Sequence, residues 1–146
     1  MRIVFGGDYK GIAFRDALIA PLREIGEVVD VCALDPSLVD YVEVADRVCQ
    51  SLEGGAGVMI CGTGIGISIV ANKQKQVCAA RCVCVQDAID SKLVNNANVL
   101  CLSANTPVDL NVEIIKAFFA TQFPGDEKRT SRLRKIAAIE QRNFQP

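Results

Sequence analysis

Short apolar runs recur along the chain, and an amphipathic stretch follows nearly every one. That alternation narrows the possible folds more than any other feature. The runs are RIVFGG at 2–7, VVDVCAL at 28–34, AGVMIC at 56–61, VCAARCVCV at 77–85 and ANVLCLS at 97–103. They are rich in β-branched residues and apolar throughout rather than alternating, as expected of strands covered on both faces. Residues 12–26, 43–55, 64–73, 86–96 and 107–123 carry apolar side chains at helical spacing. Pro21 predicts a kink or break in the first of these helices, Gly26, Gly54 and Gly55 read as stops, and Pro107 reads as an opener at the first helical position. A basic helix is expected over 128–142. Together these imply one α/β domain over 1–146, a three-layer α/β/α sandwich on a five-stranded parallel sheet with an extra C-terminal helix.

Composition excludes several classes of function. With half its residues hydrophobic and 23% charged, the chain has enough apolar surface for a core and is not a disordered polymer. No apolar run reaches the ~18 residues of a membrane span, and Met1–Gly7 turns glycine-rich too early for a signal peptide. A net charge of −1 argues against nucleic acid as a partner. The seven cysteines show no C-x-x-C spacing and read mostly as small buried hydrophobes in a reducing cytoplasm, with no metal expected. The chain has no histidine at all, which removes Cys-His and Ser-His-Asp catalysis.

Ligands of such sheets bind beyond the carboxyl ends of the strands. Those ends carry Asp8, Cys61, Gln86 with Asp87, and Ser103 to Asn105. Cys61 stands out because Gly62, Gly64 and Gly66 follow it where a strand gives way to a helix. Such a loop can aim main-chain amides at one point, and the helix adds its positive end; it can also be no more than a tight turn. Ile67 occupies the place of a third fingerprint glycine and of a phosphatase-type arginine, and no P-loop Lys-Ser/Thr pair follows. An anion nest beside a thiol suits proton transfer instead. Cys61 would act as a base, while the amides and the Thr63 hydroxyl stabilise an enediolate.

Several stretches resemble one family in chain order: GGDYKG near the start, DYVEVADRV at 40–48, CGTGIGISIVANK at 61–73, NNANVL at 95–100 and, more weakly, AAIEQRN near the end. They are similar to the type-B ribose-5-phosphate isomerases and their relatives, the galactose-6-phosphate isomerase subunits. The resemblance implies a Rossmann-like domain that forms a homodimer or tetramer with active sites shared between subunits. It implies aldose–ketose isomerisation of a sugar phosphate through an enediolate, with no metal and no cofactor. By matching position, Cys61 is the base, with Thr63 and the amides of Gly62, Gly64 and Gly66 as the anion hole. By the same match Asp8, Tyr41 and Asn95 are substrate-binding and Lys128 and Arg132 phosphate-binding, while Tyr9 and Arg129, which stand in place of family histidines, are expected at the substrate and at the phosphate. Three family histidines are replaced, by Tyr9, Val94 and Arg129, and a phosphate-binding arginine by Asn105. Val94 stands where the family places the ring-opening histidine. An active isomerase tolerant of short, open-chain sugar phosphates, a non-catalytic partner subunit and a phosphosugar-binding homologue all fit this pattern.

Overall fold

A computed structural model describes residues 1–144. Its five strands are β1 (Arg2–Gly7), β2 (Glu27–Asp30), β3 (Ala56–Cys61), β4 (Ala79–Arg81) and β5 (Val99–Ser103). All pairings are parallel, in the order β2-β1-β3-β5-β4. The helices are α1 (Arg15–Ile25), α2 (Val31–Leu34), α3 (Tyr41–Gln50), α4 (Ile65–Ala71), α5 (Val85–Asn95), α6 (Val108–Ala120) and α7 (Glu127–Asn143). None is long and apolar enough to cross a membrane.

Successive residues of a strand point to opposite faces, and here both faces are buried. Ile3, Phe5, Val58, Ile60, Leu100 and Leu102 turn one way, onto Leu18 and Leu22 of α1, Ala88 of α5 and Ile114 and Phe118 of α6. Val4, Met59, Cys61, Val99 and Cys101 turn the other way, onto Val44 and Val48 of α3 and Ile67 and Ala71 of α4. Two apolar layers around one sheet explain why the strand sequences do not alternate. Cys61 lies on the α3–α4 side.

Four local expectations are corrected. The run at 28–34 does not stay extended, because the Asp30 carboxylate accepts the amides of Cys32 (3.0 Å) and Ala33 (3.1 Å) and caps α2. Pro21 does not break its helix: α1 continues through it, held to the core by Leu18, Ile19 and Leu22. The fourth strand is three residues long. Asn98 Oδ1 takes the Cys78 amide, Asn72 Oδ1 takes the Ala79 amide, and Asp87 Oδ2 takes the Val83 amide, so the chain leaves the ladder early. That shortening puts Cys84 at the start of α5, exposed, rather than inside a strand. Pro107, finally, occupies the cap position one residue before the helix proper.

Candidate active site

The strand order reverses between β1 and β3, and the loops after these strands part there. The opening is a cleft of about 390 Å³ lined by Asp8, Tyr9, Lys10, Asp40, Tyr41, Cys61, Gly62, Thr63 and Gly66. Each wall has a local cause. Asp8, buried, ends β1 and folds the next loop onto itself, its Oδ1 accepting the amides of Lys10 (3.0 Å) and Gly11 (2.8 Å). Gly11 has no room for a side chain, since a Cβ there would meet the Ile60 carbonyl oxygen at 2.5 Å. Asp40 caps α3 by accepting the Val42 amide (2.7 Å), which sets Tyr41 at the mouth. Gly66 lets the Tyr41 ring close on α4, because a Cβ would lie 2.8 Å from Cε2.

The glycine loop is held from behind. The Cys61 carbonyl accepts the Ala104 amide (2.9 Å), and the Gly62 carbonyl accepts the Asn105 amide (3.2 Å) and the Ser103 hydroxyl (2.9 Å). The Thr63 carbonyl accepts Nε–H of Arg81 (2.8 Å). Asn111, wholly buried, steadies this support with Nδ2 bonds to the carbonyls of Ser103 and Thr106. Across a trans peptide the next N–H points opposite to its carbonyl, so three carbonyls drawn backward turn the following amides forward. Gly64 sits at φ +73°, a left-handed turn suited to glycine, and its amide donates to Cys61 Sγ (3.1 Å). The Ile65 amide donates to Thr63 Oγ1 (3.2 Å). The amides of Gly62, Thr63 and Gly66 have no hydrogen-bond partner among the described residues, and all three residues line the cleft. A thiol with its own amide donor therefore shares one cleft with three residues whose amides are unsatisfied.

Of the residues singled out in the sequence, Asp8, Tyr9, Tyr41, Cys61, Gly62, Thr63 and Gly66 come together here. Gly64 does not line the cleft; its amide serves the sulfur instead of an open anion site. Asn95 lies elsewhere, in a cavity of about 360 Å³ between α5, α7 and the segment before β4, with Gln76, Lys92, Asn98 and Glu140 among its walls. Lys128, Arg129 and Arg132 line neither cavity. Arg129 is paired with Asp126, the cap of α7, at 2.7 Å. Gln86 and Asp87 serve α5, whose first turn Asp87 closes. Sequence reading passed over Lys10, which lines the cleft, and Arg81, which holds its loop from behind. No three His, Cys, Asp or Glu side chains among the described residues converge as a metal site would require.

The sequence profile of the family described as Ribose/Galactose Isomerase matches residues 3–136. Ribose-5-phosphate isomerase B of Escherichia coli strain K12 is 35% identical over 97% of each chain. The type B ribose 5-phosphate isomerase structure of Trypanosoma brucei superposes with a TM-score of 0.88 at 34% identity, over 95% of this chain and 98% of that one. A structure of the Mycoplasma genitalium ribose-5-phosphate isomerase B with bound ribulose-5-phosphate gives 0.83 at 32% identity over 96% of both. With one profile spanning most of its length and relatives aligned nearly end to end, the chain belongs to the ribose/galactose isomerase family.

Proposed function

We infer that the protein is an aldose–ketose isomerase of a phosphorylated sugar, working through an enediolate with Cys61 as the proton-transfer base. The observation that carries this reading is the meeting of the Cys61 thiol with the free amides of Gly62, Thr63 and Gly66 on one cleft. When a carbon beside a carbonyl loses its proton, negative charge grows on the oxygen, and donors already aimed at that oxygen lower the barrier. The thiolate takes the proton from one carbon and returns it to its neighbour, while the hydroxyl proton of the intermediate passes from one of its two oxygens to the other; the Gly64 amide stabilises the sulfur while it is charged. Asp8, Tyr9 and Tyr41 contact the sugar. The step needs no imidazole, so the absence of histidine is compatible with it. Because Val94 cannot move a proton in ring opening, short sugar phosphates that stay open-chain are the expected preferred substrates.

The site is completed by a second copy of the chain. Asn95 and the cations of α7 lie away from the cleft of their own chain. Tyr9, Tyr41, Val42, Ile65 and Ile69 leave an exposed apolar rim around or beside it, and α7 buries no residue in its own chain while exposing Ile136 and Ile139. A partner docked on the rim supplies Asn95 to the sugar and Lys128, Arg129 and Arg132 to the phosphate. Seven free thiols fit a reducing compartment, the cytoplasm.

The test is turnover of a panel of four- to six-carbon aldose and ketose phosphates in deuterated water. Turnover of a tetrose phosphate, with deuterium entering the carbon beside the carbonyl and at least a hundredfold loss of rate in Cys61→Ser, is the expected result. Unchanged activity in Cys61→Ser, or isomerisation without deuterium entry, removes the proposal.

A further inference from the structure

We propose that Lys10 is a catalytic residue of this isomerase, its ammonium contacting the oxygen on which the enediolate charge develops. The inference rests on the isomerase reading above and adds to it a group that the sequence had not singled out. Among the described residues, Lys10 supplies the only basic side chain lining the cleft, whose other charged groups are the carboxylates of Asp8 and Asp40. Forming an enediolate there moves negative charge from the sulfur onto a substrate oxygen, in a cleft that already holds two carboxylates, and a cation beside that oxygen offsets it at short range.

Three features position the ammonium. The Lys10 amide donates to Asp8 Oδ1, which ties the backbone of this exposed residue to the end of β1. Its stem lies across Gly62, where an added Cβ would meet Cδ at 2.9 Å and Nζ at 3.7 Å. Nζ stands 5.8 Å from the centroid of the Tyr9 ring, and no carboxylate among the described residues lies within ion-pair distance of it. The cation is thus uncommitted. Its place one residue from Cys61 decides what it serves. A sugar's ester phosphate is on the terminal carbon remote from the carbonyl pair, whereas the thiol must reach the carbons beside the carbonyl. An ammonium over Gly62 is at the thiol's end.

The experiment compares wild type, Lys10→Met, Lys10→Gln and Lys10→Arg with Cys61→Ser in the same turnover and deuterium-entry assays. It also measures binding of a phosphorylated aldonohydroxamate, whose two adjacent oxygens imitate the enediolate, and of inorganic phosphate. Both neutral variants should lose on the order of a hundredfold in kcat with KM changed less than threefold. Hydroxamate binding should weaken by a similar factor, phosphate binding should stay unchanged, and arginine should recover at least tenfold over methionine. A kcat within threefold of wild type in the neutral variants overturns the inference. So does a loss confined to KM and phosphate binding, which would make Lys10 a phosphate ligand, and so does an arginine variant no better than methionine. An inactive wild type would instead sink the isomerase reading, and this inference with it.

Discussion

At the scale of single residues, seven thiols in one chain take different parts because their surroundings differ. Burial pushes the Cys49 thiol up to about 11 and the Cys82 thiol up to about 12, and holds Cys101 higher still. Cys84 is exposed at the head of α5. Limited alkylation with iodoacetamide at pH 8, read by peptide mass spectrometry, should therefore mark Cys84 first and leave Cys49, Cys82 and Cys101 unmodified while the protein stays folded. Cys61 is buried as well, yet it is the one thiol on the cleft, with the Gly64 amide on its sulfur. A sugar phosphate bound in the cleft should slow its labelling and leave that of Cys84 unaffected. The identity of Cys61 was legible early because its partners follow it directly in the chain. Lys10 and Arg81 were not. A lysine in a turn has no periodicity to mark it, and Arg81 meets the Thr63 carbonyl only because β4 is brought beside the loop after β3.

At the scale of elements, the site depends on caps and close approaches more than on helix or strand propensity. Gly66 is where α3 and α4 touch through Tyr41, so Gly66→Ala must displace that ring. The expected result is a KM raised about tenfold for a sugar phosphate, with a melting temperature close to wild type; steady-state kinetics beside calorimetry checks it. At the head of α5, the Val83 amide holds the Asp87 carboxylate below its ordinary value of 3.8. A carboxylate so depressed contributes stability above that ordinary value, and the contribution is lost as pH falls through its lower folded value. Asp87→Asn should accordingly melt below wild type at pH 7, with the gap closing as pH falls below 3.8 in a series of thermal melts. The same contact ends β4 early. An aspartate two residues past a cysteine-rich apolar run left no sequence pattern that distinguishes a short strand from a long one. Asp30 acted in the same way on the run at 28–34, where a capping side chain overruled the apolar composition.

At the scale of the whole molecule, the cleft and the groups expected to hold phosphate belong to different surfaces of one chain. A two-fold assembly joins such surfaces reciprocally, each copy lending to the other. Mixing Cys61→Ser with Arg132→Ala under conditions that let subunits exchange should then restore up to about a quarter of wild-type turnover at subsaturating substrate, since about half the dimers are mixed and each carries one intact site. If every site lay within one chain, the mixture would give only the average of its two components. Sedimentation of the wild type should show a dimer or a tetramer, and a monomer that turns over substrate would remove the shared site.

The linear sequence by itself determined the layers of this protein and the setting of a thiol beside a glycine loop at a strand's end. Apolar runs without alternation can be buried only between two sheets of helices, and the thiol, glycines and threonine of the loop are contiguous along the chain. Which strand neighbours which, where β2 and β4 stop, and which amides remain unbonded were decided only by tertiary structure. Those outcomes turn on side chains of Asp30, Asp87, Asn98 and Arg81 that reach backbone groups two to twenty-two residues away, by an energy no local pattern encodes. The placing of Lys10 against Gly62 is of the same kind: a contact between the ends of two strands, neighbours in the sheet and far apart in the sequence.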